Sequence, residues 1–345
     1  MASTNGKPKL ALYWASSCGG CEIAVLATHE KLLDVAEAFD IVFWPCAMDF
    51  KQAEVEAMAD GEIDVCLFNG AIRNDHNAHM AHLLRQKSKV LVAFGSCANE
   101  GCMPGLANFT DREHILRFIY QDSPSTDNPQ GVRPQLRTEV PEGTLELPEF
   151  WNTVKTLDQV VPVDYYLPGC PPEAKWVVAA VEAILTNKLP PPGSVIGMDV
   201  AVCDECPRKR DVKKITRFYR PQEIVPDPEI CLLEQGLFCA GIATRAGCGA
   251  LCPSVNMGCR GCYGPVEGVE DIGARLISAV ASVIEAKTPE EIDAVLDTLP
   301  DPAGYFYRFS LARSFLRRTR MGQQDGRRVA EPIAEVPRLE PELAD

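Results

Sequence analysis

Fifteen cysteines punctuate this chain of 345 residues, and their spacing is its first chemical signal. Cys18 and Cys21 form Cys-Gly-Gly-Cys. Cys97 and Cys170 stand apart, in Gly95-Ser96-Cys97 and Pro168-Gly169-Cys170-Pro171-Pro172. Cys203, Cys206, Cys231, Cys239, Cys248, Cys252, Cys259 and Cys262 then place eight thiols within 60 residues. A Cys-x-x-Cys loop lets two thiolates face one metal core, and its glycines let backbone amides approach the sulfurs. Thioredoxin-like redox pairs and zinc knuckles share that motif, so the pair alone decides nothing. The whole set says more. Twelve thiols make three groups of four: Cys18, Cys21, Cys97 and Cys170; by proximity, Cys203, Cys206, Cys231 and Cys239; and Cys248, Cys252, Cys259 and Cys262. Three 4Fe-4S clusters are the expected cofactors, and one-electron transfer the expected chemistry. Cys206-Pro207 and Cys252-Pro253 repeat the cysteine–proline step of bacterial ferredoxin loops. The rival is structural zinc in the two later groups, since paired Cys-x-x-Cys also builds a zinc ribbon. Their Gly- and Pro-rich loops disfavour it, and one buried cluster needs others to carry electrons away.

The frame that must gather these thiols begins with alternating apolar and helical stretches from Lys9 to Lys188. Strands are expected at Leu10–Trp14, Ile41–Cys46, Ile63–Asn69, Val90–Phe94 and Val163–Leu167. Helices are expected at Glu22–Ala38, Lys51–Ala59, Asn74–Gln86, Arg112–Tyr120 and Glu173–Asn187. The alternation predicts an α/β fold, a flavodoxin-like doubly wound parallel sheet of five strands. Ligands of such sheets bind at the carboxyl ends of the strands, near the switch in strand order. Cys18 and Cys21 follow the first strand, Cys97 the fourth and Cys170 the fifth, so three loops would bring four thiolates to one crevice. The helices after Cys21 and Pro171 would aim their positive ends there, with Pro171 and Pro172 suited to a first helical turn. Glu22 is read as a partner of its helix dipole rather than a proton carrier.

The segment from Asp122 to Glu149, rich in Pro, Gly, Ser and Asp, reads as a surface excursion. Leu189-Pro190-Pro191-Pro192-Gly193 ends the last helix and marks a boundary. The expected organisation is a flavodoxin-like domain (1–189), an irregular cysteine-rich iron–sulfur domain with C-terminal helices (190–320), and a mobile tail (321–345). Those helices are expected at Gly268–Glu285 and Ala303–Arg320. The cysteine-rich segment has too little periodicity to fill a core and needs metal to fold.

Composition bounds the rest. Hydrophobic residues at 46% and charged residues at 24% are ordinary for a globular protein. A net charge of −14 without a basic stripe excludes nucleic acid as the expected partner. No apolar run is long enough to span a membrane, and no signal-peptide pattern precedes Lys9, so a cytoplasmic location is expected. That setting argues against disulfides. Cys46, Cys66 and Cys102 are left over; the first two are expected as small buried hydrophobes, and Cys102 is set aside as a substitute for Cys97. His76, His79 and His82 recur along one helix, which a solvated face explains better than a metal site.

Cys18-Gly19-Gly20-Cys21, Gly95-Ser96-Cys97 and Pro168-Gly169-Cys170-Pro171-Pro172 together resemble the small subunit of nickel–iron hydrogenases. The run from Cys231 to Cys239, Cys248-Gly249-Ala250-Leu251-Cys252-Pro253 and Cys259-Arg260-Gly261-Cys262-Tyr263-Gly264-Pro265 narrow the resemblance. They are similar to the cytoplasmic methyl-viologen-reducing type that is coupled to heterodisulfide reductase, over about residues 8 to 318. The resemblance implies a proximal cluster on Cys18, Cys21, Cys97 and Cys170, a medial one on Cys248, Cys252, Cys259 and Cys262, and a distal one on Cys203, Cys206, Cys231 and Cys239. Membrane-bound relatives have His where Cys203 stands and a non-ligating residue where Cys252 stands; here both are cysteines, so three cubanes are implied. The related complex I subunit has adjacent cysteines at the first site and lacks the later eight. Other small subunits commonly place a glutamate one residue beyond Glu22, so no proton-transfer role is carried over to it. The implied function is electron transfer from a dihydrogen-splitting large subunit to an iron–sulfur or flavin protein of heterodisulfide reductase type. No nickel site is expected in this chain, and the first-site edge of the sheet is expected to face the large subunit. The alternative is a carrier whose large partner lacks nickel.

Overall fold

The computed structural model describes residues 6–211 and 214–316, and the backbone of Thr319–Gln324 and Arg327–Pro332. The chain begins β1 (Lys9–Trp14), α1 (Gly20–Leu26), α2 (Lys31–Ala38), β2 (Asp40–Phe43), α3 (Gln52–Glu56), β3 (Ile63–Asn69), β4 (Ile72–Asn74), α4 (Asp75–Lys87) and β5 (Ser88–Phe94). It continues α5 (Ser96–Glu100), α6 (Arg112–Arg117), β6 (Arg137–Val140), β7 (Gly143–Glu146), β8 (Phe150–Lys155), β9 (Tyr165–Leu167) and α7 (Ala174–Leu185). β3 and β5 are almost wholly apolar and buried because helices cover both sheet faces, as parallel sheets require. The strand order β2-β1-β3-β5-β9, parallel at every pairing, is the expected flavodoxin-like order. One face buries Tyr13, Phe68, Met80 and Leu84, the other Leu12, Phe94, Val177 and Ala180.

Several expectations change in detail. The helix expected over 22–38 is two helices: Thr28 Oγ1 bonds the Val25 carbonyl, and His29 takes a left-handed φ of 53°. The apolar period runs across this break, which is why the pattern shows one helix. The strand expected to reach Cys46 stops at Phe43, leaving Cys46 exposed rather than buried; Cys66, within β3, is buried as expected. α7 starts at Ala174, so Pro171 and Pro172 precede the helix instead of opening it. The chain doubles back there, with Gly169 at φ 129° and Pro172 stacked over its Cα, where no Cβ fits. The excursion carries the exposed hairpin β6–β7, after which β8 pairs with β4 in an unexpected antiparallel ladder.

Beyond α7, Val195 pairs in parallel with Tyr166, so the chain accompanies the sheet past the proline run. Among the described residues, the helices of the cysteine-rich stretch are short turns, including α8 (Val202–Glu205) and α9 (Leu251–Ser254). The later helices are α10 (Ile272–Ala281), α11 (Pro289–Leu296) and α12 (Pro302–Tyr307), shorter than expected. α11 is an addition to the expected helices, although Thr288 and Glu291 form a capping box around Pro289. These helices close a second core in which Phe218, Phe238, Ile272 and Leu276 pack with Cys259 and against Cys206, Cys231, Cys239 and Cys248. In the region expected as a tail, Thr319–Gln324 and Arg327–Pro332 pair antiparallel; residues 333–345 lie outside the described residues.

Candidate metal centres

Cys18 is exposed just before α1, and Cys21 is buried in that helix's first turn. The Cys21 sulfur lies against the Cα of Gly95, at the end of β5, where a Cβ would overlap it. Gly95 N–H donates to the Leu167 carbonyl (2.8 Å) and Ser96 N–H to the Gly169 carbonyl (2.8 Å). These bonds hold the turn carrying Cys97 beside the turn carrying Cys170. Burial pushes the Cys21 thiol far above its ordinary range, and Cys170, Glu22, Cys18 and Cys102 push the same way. The carboxyl edge of the sheet thus gathers the first thiol group, as the strand order leads one to expect.

Cys102 stands closer than the sequence suggested. It is 1% exposed, its sulfur is 3.6 Å from that of Cys170, and its side chain also bonds Cys97. It packs with Cys97, Cys170, Cys262 and Phe309 in one cluster. The five-residue step from Cys97 across α5 was the signal available for it. Glu22 is buried too, and its carboxylate accepts from Trp44 Nε1 at 2.6 Å and from Asn69 Nδ2 at 3.5 Å. It has specific side-chain partners beyond the helix dipole.

Cys262 stands next to the first group. Its thiol is pushed up to about 12, chiefly by burial and then by Cys248, Cys170 and Cys252, against the opposing effect of the Cys170 backbone. Ser96 Oγ donates to the Cys262 carbonyl, tying the turn that carries Cys97 to the loop that carries Cys262. Cys259 feels Cys239 and Cys262, and its N–H donates to the Cys239 sulfur at 3.3 Å. Cys239 in turn shares a cavity with Cys203, Cys206 and Cys231, rimmed also by Val202, Arg208 and Gly241. Neighbouring thiols thus run in series from the sheet edge into the cysteine-rich region. Cys262 leans on the first group, and Cys259 on Cys239 of the group containing Cys203.

The donor set suits iron–sulfur clusters. Backbone N–H groups favour the thiolate at several sulfurs: Leu251 and Ala250 at Cys248, Glu234 and Leu233 at Cys231, Gly241 and Cys259 at Cys239, and Gly261 at Cys259. Such bonds are a main control on cluster potential. Among the described residues, no three His, Cys, Asp or Glu side chains converge as closely as a single ion requires. His76, His79 and His82 lie along α4 as expected of a mostly solvated face.

A cavity of about 390 Å³ lies beside these groups, lined by Asn99, Glu100, Tyr166, Arg245, Tyr263 and Arg313 among others. Among the described residues, neither side-chain amide atom of buried Asn99 has a hydrogen-bond partner. Burial raises the Glu100 carboxyl to about 7, against the opposing pull of Arg313. A carboxyl raised in the folded state stabilises the fold at acid pH, below its unfolded value near 4.3, and loses that advantage as pH rises towards 7. Glu100→Gln, neutral throughout, should match the wild type near pH 4 and exceed it at pH 8. The gain should be on the order of 3 kcal/mol in anaerobic denaturant titrations. An equal difference at both pH values would contradict this.

Among the described residues no helix is long and apolar enough to cross a membrane. The model of the family described as NADH ubiquinone oxidoreductase, 20 Kd subunit, matches residues 18–184. The iron–sulfur subunit of the F420-non-reducing hydrogenase of Archaeoglobus profundus is 44% identical over 316 residues, 90% of this chain and 98% of that protein. The corresponding F420-non-reducing hydrogenase subunit of Methanothermobacter thermautotrophicus is 38% identical over 90% of this chain and 96% of its own length. The delta subunit of sulfhydrogenase 2 from Pyrococcus furiosus is 27% identical over 74% of this chain and 86% of that protein.

Proposed function

Since the chain belongs to the family of F420-non-reducing hydrogenase iron–sulfur subunits, small subunits that lack the catalytic site, we propose that it is the electron relay of a cytoplasmic nickel–iron hydrogenase. Three 4Fe-4S clusters, when bound, would supply one-electron transfer from the large subunit's dihydrogen chemistry to an iron–sulfur or flavin partner of heterodisulfide reductase type. Cys18, Cys21, Cys97 and Cys170 hold the proximal position, Cys248, Cys252, Cys259 and Cys262 the medial one, and Cys203, Cys206, Cys231 and Cys239 the distal one.

The observation that carries this reading is the serial contact between groups. Cys262 is tied through Ser96 to the turn that carries Cys97, and the Cys259 N–H donates to the sulfur of Cys239. Neighbouring thiol groups therefore leave no long gap between redox sites. Tyr263 spans the same junction: its hydroxyl accepts from the N–H of Glu173, three residues after Cys170. Trp176, on α7, donates from Nε1 to the Gly247 carbonyl beside Cys248 at 2.9 Å. These bonds fix the spacing of the relay. Exposed Trp14, Ile23 and Leu26 near Cys18 supply apolar surface for the large subunit.

Anaerobic purification through a tag on this chain tests the proposal. A co-purifying large subunit that contains nickel, with dihydrogen-dependent dye reduction by the complex, is the expected result. A complex without nickel or dihydrogen uptake would favour a carrier of another kind.

A further inference from the structure

Arg208 is 6% exposed, and among the described residues its hydrogen bonds go to neutral oxygens. Nε donates to the Pro253 carbonyl (2.9 Å), Nη1 to the carbonyls of Asp227 (2.7 Å) and Ile230 (2.9 Å), and Nη2 to Asn256 Oδ1. Among the described residues no carboxylate pairs with it, whereas buried Arg245 is matched by Asp199 at 3.1 Å. A guanidinium is a permanent cation, and burying its charge without a counter-charge is unfavourable. The compensating anion has to lie nearby. Arg208 lines the cavity of Cys203, Cys206, Cys231 and Cys239, and its Pro253 bond fastens the residue after Cys252. The guanidinium thus stands at one thiol group and braces the loop of the next.

We propose that Arg208 is a positioning residue and fixed cation that raises the reduction potential of the cluster held by Cys203, Cys206, Cys231 and Cys239. The inference rests on the iron–sulfur reading above. The step is the gain of one electron from the neighbouring cluster: the cluster's charge becomes one unit more negative, no bond forms or breaks, and no proton moves. A permanent positive charge in a poorly solvated setting stabilises the more negative state. Arg208 thereby favours passage of the electron towards this group.

The test uses the intact complex, prepared anaerobically, with Arg208→Gln, Arg208→Lys and Asn256→Asp. Iron is counted in each, and the clusters are titrated potentiometrically by electron paramagnetic resonance. Arg208→Gln should lower one cluster midpoint by the equivalent of roughly a tenfold change in the reduced-to-oxidised ratio. Arg208→Lys, which keeps the charge, should restore most of it. Asn256→Asp sets a carboxylate against the intact guanidinium and should shift the same midpoint downward. If Arg208→Gln loses iron from the site, Asn256→Asp decides the matter alone. Full iron with unmoved midpoints in Arg208→Gln, or an unmoved midpoint in Asn256→Asp, overturns the role of Arg208. A wild-type protein without iron in this group instead defeats the underlying reading.

Discussion

Replacing Cys262 by alanine should disconnect the relay while leaving its first station loaded. Cys262 sits at the junction, near Cys170 on one side and Cys248 and Cys252 on the other. Its loss leaves three thiolates where four are needed, so iron should fall by up to about four per chain, the content of one cubane. Dihydrogen-dependent reduction of the physiological acceptor should fall at least about 100-fold, the upper end of what losing even a supporting partner of a metal ligand costs. The proximal cluster, with all its thiols intact, should still be reduced by dihydrogen in the same preparation. A variant with undiminished acceptor reduction would place the electron path elsewhere. Cys66→Ala is the control, because that thiol sits inside β3, away from the three groups.

Stripping the metal should unfold one part of the molecule before the other. The parallel sheet has two apolar faces filled by Phe68, Met80, Phe94 and Val177, and needs no metal to bury them. The core around Phe218, Phe238 and Ile272 is closed instead by loops whose cysteines are part of it. Burial, together with crowding by neighbouring thiols, raises the thiols of Cys203 to about 12 and Cys239 to about 11. Metal coordination converts such buried thiols into bound thiolates, and for structural zinc in small domains the binding is worth roughly 10 kcal/mol or more. After oxidative removal of iron with a chelator, limited proteolysis should cut between residues 200 and 265. The sheet-forming segments should survive. Equal resistance before and after iron removal would show that the cysteine-rich part folds on its own packing.

Much of this was legible from local chemistry. The five apolar runs, the order of the sheet and the solvated histidines of α4 all follow from period, turn residues and the handedness of parallel connections. That Cys21, Cys97 and Cys170 lie near one another was legible because strand ends meet at one sheet edge. What the pattern could not show depends on tertiary contact. Cys102 looked spare because nothing in the sequence says that the loop after α5 folds back to Cys170, with its N–H bound to the Phe309 carbonyl from far along the chain. Glu22 looked like a simple helix-end carboxylate because its partner Trp44 arrives from the end of another strand. The ladder between β4 and β8 joins segments separated by the long excursion, a pairing no local period encodes. The same holds for Glu100, whose burial comes from segments packed over α5 from both parts of the chain.

Metal analysis of the anaerobically purified complex tests the account most directly: iron, acid-labile sulfide and zinc are counted per copy of this chain, with iron from any other subunit subtracted. About twelve irons with matching sulfide and no zinc is the predicted result, four irons for each group of four cysteines. About four irons accompanied by two zinc ions would contradict it, leaving a single cluster at the sheet edge and structural zinc in the cysteine-rich region.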